Sequence, residues 1–147
     1  MKKKIVIASV LKSVDDVRAY EKIAQSIVKT NKCEVNIIGN EGKNKSEFES
    51  ITFHPHSVVS SSWLKRLLAR ERILFKMLRL KPDLVIITTH ELLNTAFLLK
   101  ILTGCKLVYD VQENYCANIK YLEKSFLKRM YATIIGFKEH MSGWFVS

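Results

Sequence analysis

Short, unbroken apolar runs alternate along this chain with stretches whose apolar residues recur every three or four positions, and few folds accept that pattern. The run Lys4 to Leu11, apolar after a basic start, reads as a strand buried on both faces. Cys33 to Ile38, Ile51 to Phe53 and Asp83 to Thr89 are further strands by the same criterion, with Pro55 expected to stop the second of these. After the first run, Ser13 precedes Asp16 in a capping-box spacing, and Val17, Tyr20, Ile23, Ala24, Ile27 and Val28 then fall at helical intervals. The polar segment Lys43 to Glu49 is a surface loop. A helix of roughly five turns follows Ser60-Ser61-Ser62 and ends before Pro82. Another spans Glu91 to Thr103, with Gly104 placed as a terminating glycine. Strands alternating with helices predict an α/β chain, a Rossmann-like doubly wound parallel sheet with helices on both faces and right-handed crossovers.

The run Cys105 to Tyr115, C-K-L-V-Y-D-V-Q-E-N-Y, differs because it ends in a burst of polar side chains. Leu107, Val108, Tyr109 and Val111 suit a sheet interior, whereas Asp110, Gln112, Glu113, Asn114 and Tyr115 supply carboxylates, amides and a phenol. Ligands of open α/β sheets bind beyond the carboxyl ends of the strands, so chemistry is expected here. Further on, Ile119, Leu122, Phe126, Met130 and Ile134 predict an amphipathic helix, and Trp144-Phe145-Val146 begins a sixth strand. A strand reaching Ser147 with no helix after it leads to the expectation that the natural protein continues.

A length of 147 residues fits one domain, and 24 Lys plus Arg against 14 Asp plus Glu give a net charge of +10. The charge calls for an anionic partner: nucleic acid, a membrane surface or a phosphorylated ligand. Cys33, Cys105 and Cys116 are odd in number and lack C-x-x-C spacing, which argues against a disulfide framework or a zinc site. His54-Pro55-His56 has no clear third ligand and is expected to be a loop, so no metal is assigned. Ile5 to Leu11 is too short for an export signal, and no run approaches the ~18 apolar residues of a spanning helix. Any membrane contact would be peripheral.

The turn after the first strand, Ser9-Val10-Leu11-Lys12-Ser13, holds no glycine, which speaks against a dinucleotide-binding turn or a P-loop. A receiver-type phosphoacceptor fails as well, because the third strand ends at His54 and not at an aspartate. Taken in order, Asp15-Asp16-Val17-Arg18, Lys81-Pro82-Asp83-Leu84-Val85-Ile86 with Thr89-His90-Glu91-Leu92, and Val108-Tyr109-Asp110-Val111-Gln112-Glu113 resemble the N-terminal half of bacterial GT-B glycosyltransferases of the retaining, group-1 type. That resemblance implies an acceptor-side domain over residues 1–147, with the nucleotide-sugar donor held by a C-terminal domain absent from this chain. It also implies no cofactor and no metal.

Site candidates follow from these positions. Ser13, Asp16 and Arg18 lie at the first helix entry, where Arg18 and backbone N–H groups could meet an acceptor phosphate, or where Asp16 and Arg18 could form an exposed ion pair. His90 and Glu91 leave the fourth strand towards the same cleft edge; a structural histidine is the other reading of His90. Asp110 and Glu113 could accept bonds from sugar hydroxyls, or cap a helix or join a loop salt bridge. Gln112 stands where many relatives carry histidine; it could position a hydroxyl but not act as an acid or base, and could equally bond its own backbone.

The helix before Pro82 is the most basic part of the chain, with Trp63, Lys65, Arg66, Arg70, Arg72, Lys76 and Arg79 as membrane-surface candidates against the single acid Glu71. At about 100° per residue, Leu64, Leu67, Leu68, Leu74, Phe75 and Leu78 gather on one face, Ile73 and Met77 fall among the cations, and Glu71 sits unexplained in the apolar face. A solvated charged face is the commoner origin of such a pattern, and nucleic acid is not expected without a recognisable binding module. The expected activity is transfer of a sugar from a nucleotide-sugar to a glycan or lipid-linked acceptor, in bacterial surface polysaccharide or lipopolysaccharide synthesis. The expected location is cytoplasmic, peripheral at the inner membrane face. A non-catalytic, membrane-binding or partner-recruiting subunit is the alternative.

Overall fold

The computed structural model describes residues 2–43, 45–57 and 63–111, with side chains from Leu68 onward in the last segment. The chain divides into two compact units, Met1–Asp110 and Val111–Ser147. Strands β1 (Lys3–Ser13), β2 (Cys33–Asn40), β3 (Ile51–His56), β4 (Leu84–Ile87) and β5 (Lys106–Tyr109) of the first unit pair in parallel in the order β3-β2-β1-β4-β5. The expected helix around residues 119–134 and the sixth strand lie outside the described residues.

Three helical elements connect the strands. The first, α1, begins with π-helical turns over Val17–Ala24 and closes with an α-helical turn, Gln25–Val28. Helix α2 spans Trp63–Leu80, and α3 spans Leu93–Thr103 after a single 3-10 turn, His90–Leu92. Gly104 ends α3 at φ 70°, donating its N–H to the Lys100 carbonyl at 2.8 Å, as its place in the sequence predicts. Because α1 leads from β1 towards one edge while α2 and α3 lead towards the other, right-handed crossovers place α1 on one sheet face and α2 with α3 on the opposite face. Side-chain alternation along the strands agrees. Ile5, Ile7, Val35 and Ile37 form one core with Ala19, Tyr20, Ala24 and Val28 of α1. Their neighbours Val6, Ala8, Ile38 and Ile87 are buried on the other side, where Ile73 and Met77 of α2 and Leu99 of α3 are also buried. Tyr20 packs edge-on against Phe53 at 5.1 Å and accepts the Glu47 N–H on its hydroxyl at 3.1 Å, tying the 43–49 loop to the core.

The local expectations need four corrections. The cap of α1 is Asp16, whose carboxylate accepts the N–H groups of Arg18 and Ala19 at 3.2 and 3.1 Å, while Ser13 is the last residue of β1. Pro55 does not stop β3, which runs on to His56. The strand lies at the sheet edge, where a residue without an N–H leaves the ladder intact. His54 and His56 are therefore strand residues, not a loop.

The fourth correction concerns the face that α2 buries. Ala69, Ile73, Leu74 and Met77 are buried, whereas Leu68 and Phe75 are 57% and 68% exposed. The packed stripe is set by Ala69, Ile73 and Met77 at four-residue steps, and Ala69 lets the helix approach closely. Glu71 is thus on the exposed side, which removes the puzzle of an acid in the core. Cys33 is half-buried and Cys105 buried, both with free thiols; Cys116 lies outside the described residues.

Candidate functional site at the carboxyl edge

The strand order reverses between β1 and β4, since connections from β1 run towards β3 and those from β4 towards β5. Adjacent strands whose connections leave in opposite directions open a crevice at their carboxyl ends. On one side of it β1 overruns the sheet. Its pairing with β2 jumps from Ala8–Ile38 to Ser13–Asn40, so the residues between form a bulge. The buried Ser9 hydroxyl holds the bulge by accepting the Lys12 N–H at 2.9 Å. Asn40 fastens it from outside: its side-chain amide donates to the Leu11 carbonyl, and its own carbonyl accepts the Val14 N–H, each at 2.9 Å. Gly39 is required at this junction, because a Cβ there would stand 2.6 Å from the Lys12 carbonyl oxygen.

Across the crevice, β4 ends in Thr88 and Thr89, 4% and 5% exposed. The Thr88 N–H continues the sheet by donating to the Ala8 carbonyl at 3.2 Å, yet neither hydroxyl has a hydrogen-bond partner among the described residues. Leaving a buried hydroxyl unpaired is costly, and such groups in a native fold usually have a use. His90 and Glu91 come next, both half-buried, in the turn that leads into α3.

At the far side Asp110 follows β5, its N–H donating to the Ile87 carbonyl at 2.9 Å. Its carboxylate grips Arg18 of α1 in a two-point fork, from Arg18 Nε at 2.8 Å and from Nη2 at 2.6 Å. That hydrogen bond, and then the charge of Asp110, raise the Arg18 pKa above its ordinary value. The two residues are 92 positions apart and join the helix after β1 to the end of β5. Arg18 thus pairs with Asp110 instead of Asp16, and the Asp16 carboxylate takes the first N–H groups of α1. Gln112 and Glu113 lie outside the described residues.

Further out, His54 of β3 hydrogen-bonds the Asn36 side-chain oxygen at 2.8 Å, and His56 the Val10 carbonyl at 3.3 Å. Burial depresses both imidazole pKa values, helped at His54 by the charge of Lys76 and opposed at His56 by the Val10 carbonyl. Among the described residues no cluster of three or more His, Cys, Asp or Glu is arranged to hold a metal. Of the basic candidates, Arg72, Lys76 and Arg79 are exposed and Arg70 half-buried, while the side chains of Trp63, Lys65 and Arg66 are outside the described residues. Sequence reasoning did not single out Ser9, Thr88 or Thr89. The available signal was a pair of adjacent threonines directly after a strand at the crevice.

Neutral hydroxyls, one carboxylate steadied by a guanidinium, and an imidazole beside a second carboxylate suit a ligand recognised through hydroxyl groups. No family model matches the chain, and no curated protein matches it in sequence. Solved structures do match. The C-terminal domain of a Pyrococcus furiosus hydrogenase is similar at TM-score 0.52 and 15% identity, over 76% of this chain and 94% of that one. TcCGT1, a UDP-glycosyltransferase of GT-B architecture solved in complex with UDP, is similar at TM-score 0.57 and 11% identity, over 83% of this chain. This chain spans only 31% of TcCGT1. The fold is α/β and Rossmann-like.

Proposed function

We propose that this chain is the acceptor-side domain of a retaining GT-B glycosyltransferase, in which a second domain holds the nucleotide-sugar. The acceptor is a glycan or lipid-linked sugar of bacterial surface polysaccharide or lipopolysaccharide synthesis, used at the inner membrane face. The observation that carries this reading is the pair of hydroxyls of Thr88 and Thr89 at the β1/β4 crevice, buried and unpartnered among the described residues. Sugar hydroxyls donate and accept, so they can complete both threonines without bringing charge into the crevice. Asp110, oriented by Arg18, would accept from a further hydroxyl, and His90 and Glu91 border the same edge. Transfer itself needs the donor domain, whose groups must stabilise the departing nucleotide diphosphate while the closed cleft excludes water.

The test uses the full natural protein with UDP-, GDP- and ADP-sugars and lipid-linked oligosaccharide acceptors. Thr88→Val and Thr89→Val should each raise the acceptor KM about tenfold, the effect of one lost hydrogen bond, with the donor KM unchanged. An unchanged acceptor KM, or no transfer with any donor, would remove the assignment.

A second reading is a non-catalytic subunit that recruits a partner. What favours it is the apolar surface that α2 turns outward, where Leu68 and Phe75 are 57% and 68% exposed. Nucleotide-sugar turnover by the natural protein decides between the two.

A further inference from the structure

From the packed rows of α2 and α3, we infer that their outer surface is a docking face for an anionic lipid bilayer. This rests on observations separate from the crevice. On α2, positions 69, 73 and 77 point into the core, and at about 100° per residue the opposite direction is that of Leu68 and Phe75. These two, 57% and 68% exposed, lie on the outer side of the helix together with the exposed Glu71, with Arg72 and Arg79 on their flank. On α3, Leu93, Ala96 and Leu99 are buried, and Leu98 and Ile101 point away at 44% and 65% exposure. The two helices pack against each other, so their apices belong to one surface.

A helix exposed to water normally turns charge outward; here both helices turn large aliphatic and aromatic groups outward, and α2 flanks its own with guanidinium groups. Contiguous exposed apolar groups rimmed by polar ones mark interaction sites. The rim selects the partner. Arg72, Lys76 and Arg79 outweigh the one exposed acid, Glu71, and the chain as a whole carries +10. A second copy would bring the same positive charge and be repelled, whereas phosphate headgroups neutralise it and the acyl boundary receives Phe75 and Leu98. No described helix is long and apolar enough to cross a membrane, so the contact is with the surface. Compared with the expectation from sequence, Leu68 and Phe75 replace Ile73 and Met77 as the inserting groups, and α3 contributes half of the surface.

The experiment is co-sedimentation of the full chain with vesicles of equal parts phosphatidylglycerol and phosphatidylcholine, and with phosphatidylcholine alone. Binding is expected only to the anionic vesicles and should fall as salt rises. Removing each cation should weaken it about fivefold, so Arg72→Glu with Arg79→Glu should abolish it. Phe75→Trp in a Trp63→Phe, Trp144→Phe background should give a blue-shifted emission on the anionic vesicles, reporting entry into the acyl boundary. Arg72, Phe75 and Arg79 are all exposed, and circular dichroism checks that each variant is folded. Binding that survives the double charge reversal, or emission that stays red, overturns the inference. So does a stable dimer that Leu98→Ser with Ile101→Ser dissolves in a protein that ignores vesicles, since the face then belongs to a second copy. Loss of vesicle binding with acceptor KM unchanged would leave the crevice assignment standing.

Discussion

The two ends of the same sheet treat their polar groups in opposite ways. At the amino edge Asp83 is engaged at every group: its carboxylate accepts the Lys4 N–H at 2.7 Å, its N–H donates to the Lys4 carbonyl, and its carbonyl accepts the Lys106 N–H. One aspartate there stitches β4 to both neighbours. The edge also borders an open groove of about 410 Å³ lined by Lys4, Glu34, Asn36, Thr52 and Leu80 among others, so exposure alone does not make a polar group needy. At the carboxyl edge Thr88 and Thr89 are buried, their hydroxyls unpaired among the described residues. The contrast separates polarity used for holding strands together from polarity kept in reserve, and it makes the same chemical change act with opposite sign at the two ends.

The largest expected effect breaks the carboxyl edge sterically. Gly39→Ala places a methyl group 2.6 Å from a backbone oxygen that cannot swing away, and should lower stability by about 3 kcal/mol in urea titrations. Asp83→Ala tests the amino edge and should lose about 1.5 kcal/mol, the value of a hydrogen bond to a charged group. Thr88→Val and Thr89→Val sharpen the comparison most. Each deletes an unsatisfied buried hydroxyl at nearly constant shape, so each should gain about 1 kcal/mol while weakening acceptor binding. Destabilisation in both would mean that these hydroxyls are already partnered.

The smallest expected effect is a pH dependence centred on β3. His54 and His56 have folded-state pKa values depressed below 6.5 by burial, so the unfolded chain binds their protons first. Stability should be full above about pH 6.5 and decline as pH falls through the window beneath it. Thermal melts from pH 7.5 to about 5 should show the decline, and His54→Gln with His56→Gln should flatten it.

The strands were legible because a parallel sheet buries both faces of its central members, so their apolar runs are nearly uninterrupted. Pro55 misled because the rule it invokes applies inside a sheet, and nothing local says that β3 is an edge. The face of α2 was harder still. Periodicity gathers most of the leucines and Phe75 on one face of that helix, yet the stripe that packs is Ala69, Ile73 and Met77, where the small Ala69 admits the neighbouring layer. Of the site, Arg18 and Asp110 were each visible as candidates. Their pairing across 92 residues was not, since only the order of strands brings them together. Thr88 and Thr89 escaped notice because β-branched residues at a strand end look like ordinary strand formers.

Pro55 also bears on how the chain behaves among its own copies while folding. The outer rim of a sheet is a template on which a stray strand can deposit, and repeated deposition leads to fibrils. On the β3 side that rim is interrupted by a residue with no hydrogen to give, flanked by two histidines that gain charge as pH drops. A newly made chain is therefore guarded from stacking at this border by its covalent structure, before any partner or bilayer has covered the rest of it.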